Sequence, residues 1–222
     1  MKQVPIILLG AGGHAKVVLD LLHALDHEVL GVCDPELANR STSQWRGLSV
    51  LGDDEVIEEH QPNSIALANG LGSLPNSHLR HRLHQRFKGK GYRFITLVHP
   101  SAIVGSGVEL GDGVQIMAGA IIQADTHIGN DVILNTGARI DHESVIGDHV
   151  HVAPGSVLSG NVKVADGCHI GPGAVVIQGI KLGQGAVVGA GTTVLSDLPA
   201  HYQLTGQPPR PPVELKRKKN TP

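Results

Sequence analysis

The sequence predicts two folds in tandem: an α/β domain with a Rossmann-like parallel sheet over residues 1–98, then a left-handed parallel β-helix over 99–207, followed by a tail at 208–222. Three observations carry this prediction. Aliphatic residues recur at every sixth position from Val104 to Val194 without one slip. The first hundred residues instead alternate apolar runs with amphipathic segments, which is how a parallel sheet with crossover helices is written. Gly and Pro number 29 and 13 of 222 residues, well above the roughly 12% of average usage, so the chain is rich in turns.

In the first domain, Val4–Gly10 reads as a buried strand, followed by Gly10-Ala11-Gly12-Gly13-His14-Ala15 and a helix carrying Val17, Val18, Leu21, Leu22 and Leu25. A second strand over 28–33 ends at Asp34. A strand, a Gly-rich turn, a helix and a strand ending in an acid make the pattern of a nucleotide-binding βαβ unit. Further strands are expected at 48–51, 64–68 and 93–98, and helices near 53–60 and 76–88. The domain is too short for two mononucleotide halves, which favours one nucleotide or nucleotide sugar over a dinucleotide. The 76–88 helix offers Leu79, Leu83 and Phe87 on one face; its Arg80, Arg82, Arg86, Lys88 and three His (78, 81 and 84) read as a solvated basic face.

In the second domain the sixteen aliphatic positions, Val104 through Val194, are all Val, Ile or Leu, and three residues beyond each stands Gly, Asp or Asn in fourteen cases. That is the hexapeptide signature of the β-helix. The aliphatic side chain points inward, and the third residue beyond turns the corner at positive φ, where Gly, Asn and Asp cost least. Three strands make an eighteen-residue coil. Two corners break the rule, Glu143 and His149. Strained corners of that kind gather at functional sites.

Composition excludes several classes of function. Five aromatic residues and a net charge of −2 leave no stacking platform and no general attraction for phosphate backbones, so nucleic acid is not an expected partner. Two distant cysteines, Cys33 and Cys168, make neither a disulfide framework nor a zinc ribbon, and the default is a reducing cytosol, hence a cytoplasmic protein. The apolar run Val4–Leu9 is too short for a signal core or a membrane span, so no membrane insertion is expected. The basic tail after Pro208 reads as extended and then disordered.

With the hexad register unbroken, no long loop leaves the β-helix, and catalytic groups must sit on its coils or come from the first domain. Among His127, His142, His149, His151 and His169, only His142 has a carboxylate on both sides, Asp141 and Glu143. A neighbouring carboxylate orients an imidazole and raises its basicity, as a general base requires. One coil below and above stand Ala124 and Gly160, so a gap for substrate is expected beside the ring. His151, His169 stacked above it, or the Gly160 N–H are candidate donors to an oxyanion.

These residues resemble the bacterial hexapeptide-repeat sugar O-acyltransferases, the family that takes in the bacillosamine-pathway N-acetyltransferases and the sialic-acid O-acetyltransferases. The likeness rests on Gly10–Lys16, on Val98-His99-Pro100-Ser101-Ala102, on Leu134-Asn135-Thr136-Gly137, on Asp141–Gly147, on His151-Val152-Ala153-Pro154-Gly155 and on Ser159-Gly160-Asn161-Val162. The resemblance implies acetyl-CoA as co-substrate with no permanently bound cofactor, and a nucleotide-activated 4-amino sugar, UDP-linked, as acceptor. It implies His142 as base, Glu143 as the acid that tunes it, and His151 and Gly160 at the thioester. Gly12, Gly13, His14 and Asp34, with Gly70 in the turn after the third main strand, would hold the nucleotide sugar. It also implies a homotrimer with sites between chains, in which Asn135 faces His142 of a neighbour. The family's final Gly-x-Pro-Ala stands here as Gly206-Gln207-Pro208-Pro209.

Two other classes compete. A γ-carbonic-anhydrase-type hydratase shares the β-helix, but its metal ligands resemble a pair five residues apart plus a third two coils earlier, which this sequence lacks; no metal site is expected. A sugar-1-phosphate nucleotidyltransferase would show Gly-x-Gly-Thr-Arg after the first strand, and it is missing. Sugar or sialic acid O-acetylation remains the alternative within the same family.

Overall fold

The computed structural model describes residues 4–75 and 77–206; the tail expected at 208–222 lies outside them. β1 (Ile6–Leu9) leads into α1 (Gly13–Ala24), β2 (Val29–Cys33), a short α2 (Pro35–Asn39) and a hairpin of β3 (Gln44–Trp45) and β4 (Leu48–Gly52). A single 3-10 segment, Asp54–Glu59, stands where a helix was expected, and β5 (Ala66–Asn69) and α3 (Leu79–Gly89) complete the domain. The sheet order is β3-β4-β2-β1-β5. β1, β2, β4 and β5 run parallel and only β3 is antiparallel.

All four residues of β1 are buried because it lies mid-sheet, with α1 packing Ala15, Val18, Leu19, Leu21 and Leu22 on one side. Val17, expected on that face, is exposed. The strand order reverses beside β1, with β2 on one side and β5 on the other, so a crevice opens at the C-terminal ends of β1 and β5. Parallel sheets bind ligands at such a point.

The strand expected at 93–98 divides between the domains. Phe94 bridges Leu67 of β5, whereas β6 (Leu97–Val98) pairs with Gln115–Ile116 and is the first rung of the β-helix. From there the chain climbs a three-sided prism of parallel two-residue rungs, with six, five and seven strands on its faces. From Ile116 to Val194 every sixth aliphatic residue is buried. Val104 is 40% exposed at the open lower end, where no coil lies beneath it.

Fifteen successive corners, from Gly107 to Gly191, hold φ between 51° and 76°. Glu143 and His149 obey the geometry although they break the residue rule, both at 58°. The last coil is two residues short, so Leu198 bridges Leu182 and Gln203–Leu204 pairs with Val187–Val188.

The two domains share a buried seam. Met117 of the prism belongs to the apolar cluster of α1, Ile6, Leu8 and Leu97. Beside it α3 lies along one edge of the prism, whose corner residues are Gly113, Asp131, His149, Gly167 and Gly185. The solvated basic face expected for α3 is corrected in part: His78, Arg82, Arg86 and Lys88 are exposed, but Arg80 and His84 are buried, while Leu79 is 59% exposed. Arg80 Nη2 meets Asp131 Oδ1 at 2.6 Å with both side chains sequestered. His81 stacks on His149 with ring centroids 3.8 Å apart.

Breaking a buried pair by deleting one partner leaves an uncompensated charge, at a cost of about 3–5 kcal/mol. Asp131→Ala is therefore expected to lose that much stability in urea unfolding, and Asp131→Ala with Arg80→Met much less. Equal losses in the two proteins would show that the ion pair is not the source.

Candidate active site

At one edge of the prism, between the rungs Arg139–Ile140 and Val145–Ile146, the chain turns through Asp141, His142 and Glu143. Asp141 Oδ1 accepts the His142 N–H at 2.9 Å and so fixes the turn. Glu143 Oε2 lies 3.0 Å from His142 Nδ1. A carboxylate there holds the ring proton on Nδ1 and leaves the Nε2 lone pair as the base. The imidazole is about half exposed. The gap expected beside it is absent: the ring lies over Gly160, where a Cβ would stand 2.7 Å from Cε1 and Nε2. Gly160 is thus the floor of the imidazole, and its own N–H has no hydrogen-bond partner among the described residues.

His151 and Asn135 are not beside His142. His151 opens a rung on the face opposite the His142 edge, the face that also carries Gln115 and His169. Asn135 Oδ1 takes the Thr136 N–H, which turns Nδ2 towards His151 Nε2 at 3.2 Å in the same chain. His151 Nδ1 donates to the Ser73 carbonyl at 3.1 Å. Both ring nitrogens are thereby used, and burial, reinforced by His169, pushes the His151 pKa down to about 3. The expectation that His151 offers an oxyanion N–H is corrected within one chain, because its ring proton is committed to the loop.

The residues expected to hold a nucleotide sugar gather around the crevice at the start of the first helix. Gly12 caps α1 with no side-chain hydrogen bond, and the first turn carries no acid, so its N–H groups are open to an anion. Cβ atoms at Gly12 and Gly13 would meet nothing within 4 Å, whereas one at Gly70 would strike Leu9 O at 2.6 Å. The first two leave room for a ligand, and Gly70 lets β5 pass close to β1. Asp34 is occupied by the fold itself. Its Oδ1 caps α2 through the Glu36 and Leu37 N–H groups, and its Oδ2 accepts the Ala11 N–H at 2.9 Å. It ties the second strand to the Gly-rich turn. His14 Nε2 reaches across to Gln115 Oε1 of the prism at 2.8 Å.

Sequence reasoning missed the residues that shape this crevice from below. Arg80 Nη1 donates to the Asn69 and Leu71 carbonyls at 2.9 and 2.8 Å, so the buried guanidinium holds the turn around Gly70. The signal available was His149 at a broken corner one coil above Asp131. A cavity of about 320 Å³ opens above His149, lined by Ser73, His78, His81, His169 and His201 among others; Gly167 and Gly185 also line it, and His142 does not. His84, Asp131 and His149 gather their ligand atoms within 4.8 Å of one another. Arg80 already neutralises that carboxylate, so a divalent cation there would sit against a buried guanidinium.

A Rossmann-like α/β domain joined to an unbroken hexapeptide prism, with a carboxylate-oriented histidine at its edge, defines a hexapeptide-repeat transferase. Residues 5–87 match the PglD N-terminal domain, and 107–142, 125–160 and 161–196 match the bacterial transferase hexapeptide model. The acetyltransferase domain of PglB from Neisseria gonorrhoeae FA1090 is 30% identical, with a TM-score of 0.84 over 94% of this chain and 100% of that one. PerB from Caulobacter crescentus, solved with CoA and GDP-perosamine, is 35% identical with a TM-score of 0.82 over 91% and 94%. A UDP-N-acetylbacillosamine N-acetyltransferase of Bacillus subtilis (strain 168) is 38% identical over 123 residues, 53% of this chain and 52% of the relative, so the match spans about half of that protein. The chain belongs to the family of hexapeptide-repeat acetyltransferases that carry a PglD-type N-terminal domain. Among the described residues, no helix is long and apolar enough to cross a membrane.

The buried histidines carry a pH prediction. Burial lowers His14 and His84 to about 4 and His151 to about 3, each against 6.5. Between those values the unfolded chain binds protons that the folded chain does not, so stability falls as pH drops from about 6.5 towards 4. Melting midpoints should decline across that window, and less steeply in His84→Phe. A flat profile there would mean these imidazoles are protonated in the folded protein.

Proposed function

We propose that the chain transfers the acetyl group of acetyl-CoA directly to the amino group of a nucleotide-activated 4-amino sugar. The observation that carries this reading is the His142–Glu143 pair: a half-exposed imidazole with Nδ1 held at 3.0 Å by a carboxylate and Nε2 free. The amine nitrogen attacks the thioester carbonyl and its proton passes to His142 Nε2. The C–S bond then breaks and the CoA thiolate leaves, taking that proton from His142 Nε2, which restores the neutral base. In this reading the Gly160 N–H, which has no partner among the described residues, donates to the oxyanion. Neither cysteine competes as an acyl acceptor, since Cys33 and Cys168 are both buried.

The acceptor sits in the first domain, its phosphates at the N-terminus of α1 beside Gly12 and Gly13. A UDP-linked sugar is favoured by the Bacillus subtilis relative, while PerB was solved with a GDP sugar. Free thiol release from acetyl-CoA with UDP-, dTDP- and GDP-amino sugars tests the choice. Release only with hydroxyl acceptors would make the chain an O-acetyltransferase.

The His142 edge and the Asn135–His151 face lie on opposite sides of one prism, so a site that uses both takes them from two chains. A homotrimer about a threefold axis supplies that arrangement three times. Light scattering should give about three times 23.3 kDa; an active monomer would sink the shared site.

Base catalysis is worth roughly 10²–10⁴ in rate. His142→Ala should lower kcat by about that range with acetyl-CoA binding nearly intact, and Glu143→Ala by less. Gly160→Ala must push the imidazole off its floor, and misplacement alone costs up to about 10², so kcat should fall while the melting midpoint holds. Kinetics should show intersecting lines. Parallel lines or a trapped acetyl-enzyme would replace direct transfer with a covalent route.

A further inference from the structure

The hydrogen bonds around His14 determine which of its nitrogens carries the proton. Gln115 is buried at the start of the second coil of the prism, directly above Leu97, and its Nε2 donates to the Asn69 carbonyl at 2.8 Å. A carbonyl only accepts, so this bond fixes the orientation of the amide and turns Oε1 towards His14. Oε1 also only accepts, and it lies 2.8 Å from His14 Nε2, so Nε2 must hold the hydrogen. Nδ1 has no protein partner among the described residues, yet it is not among the buried, unpartnered nitrogens. It therefore keeps contact with solvent, and His14 itself stands in the first turn of α1, next to the uncapped turn at Gly12 and Gly13.

A second proton on Nδ1 is opposed by the surroundings. Burial and the Arg80 charge push His14 down to about 4, against the smaller contrary effects of the Gln115 hydrogen bond and the Asp131 carboxylate. At neutral pH the ring is uncharged, and Nδ1 is a bare lone pair.

We propose that Gln115 is a positioning residue that locks His14 as the neutral Nε2–H tautomer, so that His14 Nδ1 accepts a hydrogen bond from a hydroxyl or N–H group of the bound nucleotide sugar. This rests on the acceptor site assigned above. Two kinds of recognition are thereby separated within one turn. The N–H groups of α1 take the anionic phosphates, and His14, which repels an anionic oxygen through its lone pair, reads a donor on the sugar or ribose. The prism thus sets the recognition chemistry of the α/β domain.

Nitrogen-15 spectra of histidine-labelled full-length protein test the tautomer without any substrate. His14 should show Nε2 in the protonated, pyrrole-like range and Nδ1 in the unprotonated, pyridine-like range from pH 8 to about pH 5.5. A protonated Nδ1 at pH 7 overturns the proposal. On adding a nucleotide amino sugar that the enzyme acetylates, the Nδ1 resonance should move towards the hydrogen-bonded range; binding with Nδ1 unmoved overturns it as well. If no nucleotide sugar is turned over, the acceptor assignment fails, and the recognition step proposed for His14 falls with it, while the substrate-free spectrum still decides the tautomer.

Two variants separate positioning from folding. Gln115→Leu releases the tautomer and should raise KM for the nucleotide sugar about 3- to 10-fold, the worth of one hydrogen bond, with KM for acetyl-CoA unchanged. Gln115→Glu sets a carboxylate against Nε2, favours the imidazolium and turns Nδ1 into a donor. Its KM for the sugar nucleotide should rise as pH falls and recover as pH rises. A KM insensitive to both substitutions in folded protein would remove Gln115 from recognition.

Discussion

A chain that advances one rung every six residues must turn each corner through the left-handed region of backbone space, and everything else in this protein is arranged on that constraint. At fifteen corners φ lies between 51° and 76°, a conformation that costs an ordinary residue roughly 1–2 kcal/mol. Gly escapes the cost, and Asp or Asn reduces it. Glu143 and His149 escape it in neither way, and each carries a side-chain interaction that a Gly could not make. Glu143 holds the His142 ring; His149 bonds Asp131 on the coil below and stacks on His81 of α3. The two costly corners lie at the His142 edge and at the domain seam.

The prism also decides how far apart its functional groups stand. Three faces place a corner opposite every face, so a base at one corner and a polar row on the opposite face cannot meet within a chain. His142 and His151 are nine residues apart in sequence, yet the prism wall stands between them. The protein has instead committed the His151 face to its own first domain: Ser73 is held by His151 and Asn69 by Gln115. That face therefore supports the crevice of the first domain from below.

Much of this was legible in the sequence because hexapeptide repeats are local. The inward aliphatic residue, the corner residue and the coil period all follow from spacing, and the rung positions from Ile116 to Val194 are buried as expected. The His142–Glu143 pair was legible for the same reason, since its partners are adjacent. The seam was not. Arg80, His81 and His84 look like solvent-facing residues on a basic helix, and what buries them is a column of corners about 50 to 70 residues further on. Nothing in the helix itself encodes that column. The role of Asp34 was obscured by a different cause: an acid ending the second strand serves equally to cap the next helix, and here it does.

The seam changes what the two domains are. An α/β unit that merely carried a nucleotide would complete its own crevice, but here the turn after β5 is held by Arg80, and Arg80 is neutralised only by Asp131 of the prism. His14 likewise owes its tautomer to Gln115. Both supports come from the lower coils, those nearest the first domain, while the base lies on a different edge. Removing the prism would therefore leave a buried guanidinium without its counter-charge and a histidine free to take either tautomer. The crevice of the first domain is in this sense a product of the β-helix, built on the same repeat that carries the His142–Glu143 pair.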